Sequence, residues 1–400
     1  MKTGWQSAKL GDVCGFVRGP FGGSLKKSVF VDDGFAVYEQ QHAIYNQFED
    51  VRYFIDAAKF GEMQRFELRP NDLIMSCSGT MGRVAVVPNN IRRGIINQAL
   101  LKLTPSNTTS PEFLKYWMDS DNFQDSLNEQ SGGAAIQNVA SVSILKEIRI
   151  SLPPLAEQRR IVGILDEAFE GLATAKANAE QNLQNARALF ESHLQAVFTQ
   201  RGDGWVDRQL ASLCHEITVG HVGSMKTEYK ESGVPFLRSQ NIRPFEVSMD
   251  NAMFIDEAFH RALKKSQLRP GDLAIVRTGY PGTAAVIPPE LPDSNCSDLV
   301  IVRPSNEVNP HFLAAFFNSV FGKQLVLGKI VGAAQKHFNI TAAKEVMLHV
   351  PPMPEQRVII RMVDSLREET QRLESLYQRK LAALDELKKS LLHRAFSGQL

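Results

Sequence analysis

Short apolar runs broken by Gly, Pro and Asn occupy the first 150 positions, give way to a long stretch of helical spacing, and then the whole succession repeats. Runs at 83–87, 100–103, 273–276 and 300–302 predict strands between turns. Proline-initiated segments with an apolar face, 111–117 and 310–316, predict a helix late in each half. A final strand at 148–152 or 346–350 precedes a proline pair and a heptad run. The first run steps by fours and threes through Ile161, Leu165, Ala168, Leu172, Ala175, Ala179, Asn182, Ala186 and Leu189. The second runs through Ile359, Val363, Leu366, Thr370, Leu373, Tyr377, then Leu381 or its neighbour, Leu384, Leu387 and Leu391. About 40 residues at about 1.5 Å each make a rod of about 60 Å, longer than a domain of about 150 residues can cover. The two helices are therefore expected to pack on each other. Antiparallel pairing is preferred, because a parallel pair would require the second domain to fold back along the rod. Asn182 in the apolar seam is placed to fix register. The predicted class is α+β, with two mixed, mainly β domains separated by two long helices in an antiparallel coiled coil and an internal pseudo-two-fold repeat.

The repetition is visible residue by residue. Pro153-Pro154-Leu155-Ala156-Glu157-Gln158-Arg159 returns as Pro351-Pro352-Met353-Pro354-Glu355-Gln356-Arg357. Gly4-Trp5 matches Gly204-Trp205. Leu68-Arg69-Pro70, Asp72-Leu73, Gly79, Gly82, Ala85-Val86 and Pro88 return as Leu268-Arg269-Pro270, Asp272-Leu273, Gly279, Gly282, Ala285-Val286 and Pro288. The expected division is 1–152 and 204–350 for the two domains, with 153–203 and 351–400 as the spacer helices. Between the anchors the halves diverge. Residues 18–27 show no evident counterpart, and 38–44 resembles 238–243 only in polarity. A shared frame with private loops implies one scaffold presenting two different surfaces. The proline signature also fits a plain helix start, because Pro is tolerated in the first turn and Glu157 or Glu355 suits the positive end of the helix dipole.

Composition narrows the classes. At 43% hydrophobic content, 400 residues suffice for two domains with real cores. Residues 1–10 lack the apolar core of a signal peptide and no run reaches membrane-span length, so a cytoplasmic protein without membrane contact is expected. Cys14, Cys77, Cys214 and Cys296 stand singly, without zinc-site or disulfide-framework spacing. A net charge of +1 argues against a nonspecific nucleic-acid coat but leaves specific recognition open.

Catalytic motifs are missing. The chain has no G-x-x-x-x-G-K-[ST], no G-x-G-x-x-G after a strand, no H-E-x-x-H and no [N/D]-P-P-[F/Y]; His215-Glu216 with His221 has the wrong spacing for a zincin. The glycines at 19–23, 79–82 and 132–133 read as turns. Polar loop residues remain. Arg238, Gln240, Asn241 and Arg243 offer guanidinium and amide groups suited to bidentate contact with purine edges, and Gln40, Gln41 and His42 hold a similar place. Ser78 and Thr80, like Arg277, Thr278 and Tyr280, follow the matched Asp-Leu strand. Gln137, Asn138, Gln335, Lys336 and His337 stand in later loops, and Lys26, Lys27 and Arg83 complete the candidate set.

Taken together, the chain resembles the specificity subunit of Type I restriction-modification enzymes along essentially its whole length. The resemblance rests on the P-P-x-x-E-Q-R junctions, the L-R-P-x-D-L strand with its glycine loop, the 238–242 segment, and Arg394-Ala395-Phe396-Ser397-Gly398-Gln399-Leu400. It implies a non-catalytic reader of double-stranded DNA, each domain reading one half of a split, asymmetric site while the helices set the gap. It further implies two modification subunits, which bring S-adenosylmethionine and methylate adenine at N6, and two restriction subunits using ATP and Mg. No cofactor or metal is expected in this chain. Pro154, Glu157, Gln158, Arg159, Pro352, Glu355, Gln356 and Arg357 are the candidate docking residues for modification subunits. In the first half Gln40-Gln41-His42 replaces the Gln240-Asn241-Ile242 arrangement. The competing readings are a coiled-coil scaffold whose heads bind proteins, and a nuclease or methyltransferase with an unfamiliar active site.

Overall fold

A computed structural model describes residues 4–129, 141–200, 202–328 and 338–400. Its contacts divide the chain into two compact units, Met1–Ala179 with Arg379–Leu400, and Glu180–Gln378. Each unit combines one globular body with a stretch of both long helices, so the compact units run across the junctions that separate domain from helix along the sequence.

The first unit contains β1 (Gln6–Lys9), β2 (Cys14–Arg18), β3 (Phe30–Val31), β4 (Phe35–Tyr38), β5 (Phe54–Ile55), β6 (Leu73–Ser76), β7 (Val84–Val86), β8 (Gly94–Ile96), β9 (Leu100–Pro105) and β10 (Arg149–Leu152). One sheet has the order β2-β9-β6-β7 and is antiparallel throughout. A second, β3-β5-β4-β8, has β4 and β8 parallel, and β1 pairs with β10. The second unit continues with β11 (Val206–Gln209), β12 (Cys214–Val219), β13 (Val234–Leu237), β14 (Ile242–Arg243), β15 (Glu246–Val247), β16 (Met253–Ile255), β17 (Gln267–Leu268), β18 (Leu273–Val276), β19 (Ala284–Val286), β20 (Ser294–Cys296), β21 (Leu299–Pro304) and β22 (Met347–Val350). Its sheet β12-β21-β18-β19 repeats the first down to register, since Leu73 faces Val86 as Leu273 faces Val286. β13 and β20 repeat the parallel pair, and β11–β22 repeats β1–β10.

The repeated Leu-Arg-Pro-x-Asp-Leu builds the turn that delivers the chain into β6 and β18. Asn71 and Gly271, after the prolines, have φ of 70° and 84°, a conformation open to glycine and asparagine. The aspartate closes the turn by accepting from the arginine amide, 2.9 Å for Asp72 to Arg69 and 3.0 Å for Asp272 to Arg269. Its second partner differs between units: Thr104 donates to Asp72 (2.5 Å), whereas the buried Arg303 side chain approaches Asp272 (3.5 Å). Burial raises the Asp272 carboxyl above its ordinary range, while the Arg269 amide and the Arg303 guanidinium pull it back down.

The long helices are Leu155–Thr199 and Met353–Phe396. In the first unit Arg160 donates to the Leu400 carbonyl and Lys176 pairs with Asp385, so rising numbers meet falling ones and the helices are antiparallel there. In the second unit Arg187 pairs with Glu374, and Leu194 and Phe198 share a core with Ile359 and Val363, again antiparallel. The globular bodies dock equivalently. Phe113 of the helix Pro111–Asp119 meets Phe396 at 5.2 Å, and Phe312 of the helix Pro310–Asn318 meets Phe198 at 5.3 Å.

The seam departs from the strict heptad expectation. Ile161, Leu165, Ala179 and Ala186 are buried, but Asn182 and Leu189 lie on the exposed side, and Leu183 and Phe190 take their places. On the second helix Leu387 is exposed and Leu392 is buried instead. A helix of 3.6 residues per turn drifts by about 20° per heptad, so after a few heptads the buried stripe moves on by one residue. Asn182 therefore has no place in the seam and no role in register. Replacement of Asp72 by Ala should loosen the turn before β6 and destabilise the protein by about 1–3 kcal/mol, read from denaturant melts. Asp272→Ala should do the same and leave the buried Arg303 with one carboxylate fewer.

Candidate nucleic-acid interface

Strand ends converge at one edge of the first unit. Arg18 at the end of β2 lies opposite Leu101, Ser76 at the end of β6 lies opposite Leu100, and Tyr38 at the end of β4 lies beside Ile96. The chain after each strand is tied into one rim: Asn97 N donates to Tyr38 O, Cys77 N to Ala99 O and Gly19 N to Leu100 O, all at 2.9 Å. Gln40 and Gln41 open a short helix, Gln40–Tyr45, on this rim, and Ser78 and Thr80 stand on the β6–β7 turn beside it. Gln40 Oε1 accepts from Ser78 N at 3.3 Å, which joins the two pieces. Gln41 is half-buried between Arg52 and the Asp50 carbonyl. Thr80, Arg83, Lys26 and Lys27 are exposed.

His42 does not belong with the exposed candidates. It has no exposed surface; Nδ1 meets the Glu39 amide at 2.8 Å and Nε2 the Asp50 carbonyl at 3.0 Å. A buried ring engaged at both nitrogens holds the rim in shape and reaches no base.

The second unit builds the same rim from other side chains. Val219 faces Val300, Val276 faces Leu299 and Leu237 lies beside Cys296, while Ser297 N donates to Leu237 O (3.0 Å) and Gly220 N to Leu299 O (2.9 Å). Asn241 occupies the place of His42. It too is fully buried, taking the Arg238 amide on Oδ1 (3.0 Å) and donating to Ser248 O (3.0 Å) and Asp250 O (3.1 Å). Its burial, like that of His42, leaves no edge free for a base. Segments 38–42 and 238–241 thus share a backbone design, a polar side chain three residues on that closes over a strand-end amide, where the sequences show only common polarity.

Gln240 is exposed and Arg238 half-buried; both reach the Asn251 carbonyl, and the shielded Arg238 Nε has no partner among the described residues. Arg243 is exposed but already paired with Asp250 at 2.7 Å, and Ser248 and Arg243 hold the Asp250 carboxyl below its ordinary range. Arg277 is fixed to Phe338 by two hydrogen bonds, Nε to O (3.3 Å) and the Phe338 amide to the Arg277 carbonyl (3.2 Å). Thr278 is half-buried, and Tyr280 at the turn tip is 85% exposed. Gln137, Asn138, Gln335, Lys336 and His337 lie outside the described residues. Residues 18–27, without evident counterpart in sequence, do have one: Gly19 to Leu25 and Gly220 to Met225 leave the same strand end, one glycine apart in length.

The proline junctions resolve into a latch. Gln158 has no exposed surface; its Oε1 accepts the Ser110 amide at 2.8 Å, and Nε2 donates to Thr108 O and Pro153 O, both at 2.9 Å. Gln356 repeats it with Asn309 N (2.8 Å), Glu307 O (3.2 Å) and Pro351 O (2.9 Å). Ser110 and Asn309 are the N-caps of the helices that dock on the long pair. These glutamines are internal and offer nothing to a partner, which corrects their assignment as docking residues. Glu355 is half-buried and accepts from Trp205 Nε1 at 2.8 Å, and Glu157 holds Arg160. Pro154, Arg159, Pro352 and Arg357 are exposed.

No cluster of His, Cys, Asp and Glu among the described residues could hold a metal ion. Burial pushes the Cys77 thiol up to about 11 and Cys14 up to about 12, so neither is a nucleophile at neutral pH. No helix among the described residues is long and apolar enough to cross a membrane.

Each unit therefore has a β-rich body with a polar rim, docked on antiparallel segments of the long helices. Residues 2–184 match the Type I restriction modification DNA specificity domain. The specificity subunit of the Type I restriction enzyme EcoKI from Escherichia coli K12 is 23% identical, covering all of this chain and 90% of that one. That of StySPI from Salmonella potsdam is 22% identical with the same coverage. The fold matches a chain solved in work on complex assembly and conformational transition of the type I R-M system, with TM-score 0.81 at 19% identity over 100% of this chain and 99% of that one. It also matches the HsdS subunit from Thermoanaerobacter tengcongensis, with TM-score 0.64 at 19% identity over 100% and 98%. Along its whole length the chain is similar to the specificity subunits of Type I restriction enzymes, and residues 2–184 match the DNA specificity domain of that family.

Substituting Gln158 or Gln356 by Ala should leave a buried N-cap amide and two carbonyls unpartnered, lowering stability by about 1–3 kcal/mol in thermal or denaturant melts. Arg159→Ala, on the exposed neighbour, should change stability by less than about 0.5 kcal/mol.

Proposed function

We propose that this chain reads a split, asymmetric DNA sequence and catalyses nothing itself. The observation that carries this reading is the pairing of one backbone rim with two sets of side chains: Gln40, Gln41, Ser78 and Thr80 in one unit, Arg238, Gln240, Arg277, Thr278 and Tyr280 in the other. Equal scaffolds carrying unequal hydrogen-bonding groups suit two unlike half-sites, since amides and guanidinium groups discriminate base edges. Two modification subunits dock at the exposed residues of the proline junctions and along the long helices. They supply S-adenosylmethionine and the methyl transfer to adenine N6, and two restriction subunits supply ATP- and Mg-dependent cleavage. A net charge of +1 fits a reader that shares phosphate contacts with such partners. The helices set the distance between half-sites.

Co-expression with its modification subunit, followed by mapping of N6-methyladenine, should give one bipartite, asymmetric site. Exchange of residues 205–350 for another such domain should change only one half of it; a change in both halves, or methylation without sequence preference, would overturn the reading. Arg277→Ala should lower discrimination at one position of that half by about 1–3 kcal/mol in binding assays. A uniform loss across sequences, with a salt slope reduced by about one, would assign Arg277 to phosphate instead.

A further inference from the structure

Each rim carries an exposed apolar tip in the same place. In the first unit the chain leaves β2 through Gly19-Pro20-Phe21-Gly22-Gly23-Ser24-Leu25, and in the second it leaves β12 through Gly220-His221-Val222-Gly223-Ser224-Met225. Both segments are pinned at their two ends. Gly19 and Gly220 press so closely on the neighbouring strand connection that a Cβ would fall 1.8 Å from Asn97 O or 2.8 Å from Cys296 O. At the other end Leu25 is buried with Val37, Ile55 and Phe60, and Met225 with Val234, Phe236 and Ile255. Between these anchors Phe21 is 93% exposed and Val222 is 73% exposed.

One exposed apolar side chain needs no explanation. Two at equivalent positions, each on a glycine-flanked loop tied at both ends and each on the edge that presents the polar candidates, are a repeated feature. His221 adds to the anchoring, with its amide on Cys296 O at 2.7 Å and its ring edge-on to Phe259 at 5.6 Å. The two ends of each loop are anchored, and the tips between them stand away from the cores.

We infer that Phe21 and Val222 are apolar contact points that enter a groove of duplex DNA, one in each half-site, and bury against base edges or between base steps. Apolar side chains make such contacts with the thymine methyl group in the major groove and with unstacked steps in the minor groove. The larger Phe21 displaces more water and gives the first unit the stronger contact. This inference rests on the DNA-reading function proposed above and extends it to residues without hydrogen-bonding groups.

The test uses the full chain with its modification subunits and duplexes containing the mapped site, with 2-aminopurine placed in turn along each half. Phe21→Ala should weaken binding roughly ten- to hundredfold. It should also abolish a 2-aminopurine fluorescence change confined to the first half-site, whereas Phe21→Leu should retain much of both. Val222→Ser should act only on the second half-site, with a smaller loss. Because both side chains are exposed, thermal melts of all variants should match the parent. If the parent complex binds the site and both Ala and Ser variants bind it equally well with unchanged fluorescence, the inference is wrong while DNA reading stands. If the parent shows no sequence-selective binding, the function itself fails.

Discussion

The side-chain amide of Gln158, and its repeat in Gln356, is the contact on which the architecture of each unit depends. Two hydrogen bonds from one buried group join the start of a long helix to the loop that caps the docking helix of the globular body, and a third holds the first proline carbonyl of the junction. A glutamine is suited to this place because it accepts and donates at once, meeting an orphan N-cap amide and two carbonyls at a point where the chain turns sharply. Leucine would fill the space and strand all three groups. The adjacent prolines end β10 and β22 and need no amide partner in the first turn, which leaves the glutamine to serve the others.

Much of this was legible in the sequence, and the reasons differ by element. The strands and the proline-started helices follow from local patterning, and the duplication was read directly because motifs such as Leu-Arg-Pro-x-Asp-Leu encode a turn whose geometry demands those residues. The inward roles of Gln158 and Gln356 are not legible in the sequence, because recurrence marks a residue without saying whether it faces in or out. The exposure of Asn182 and Leu189 departs from the strict heptad because that repeat drifts off the 3.6-residue turn over three or four heptads. Polarity alone marks His42 and Asn241 as candidate readers; their burial depends on Asp50, Ser248 and Asp250, contacts that no periodicity reveals. The match between Phe21 and Val222 is hidden by one glycine more in the first loop, although the flanking glycines and the apolar residue four or three positions on carry the signal.

The rims then separate what is held constant from what varies. Strand ends, positive-φ turns and the buried His42 or Asn241 keep the backbone in one form, while the outward side chains differ at almost every position. Such a division lets a frame change its target without refolding: a rim residue with solvent on one side contributes little to stability, whereas the latch and the turn aspartates contribute much. Antiparallel pairing in each unit adds the complementary constraint, because each globular body packs on the end of one helix and the start of the other, and neither helix belongs to a single body.

The central claim is that the glutamine amide joins reader to helix, and amide hydrogen exchange at Ser110 and Asn309 measures it most directly. In the intact protein both amides should exchange slowly, with the protection of the cores they border, and Gln158→Ala or Gln356→Ala should release the amide in the altered unit while that unit remains folded. Exchange at the rate of open loop amides in the unaltered protein would contradict the account.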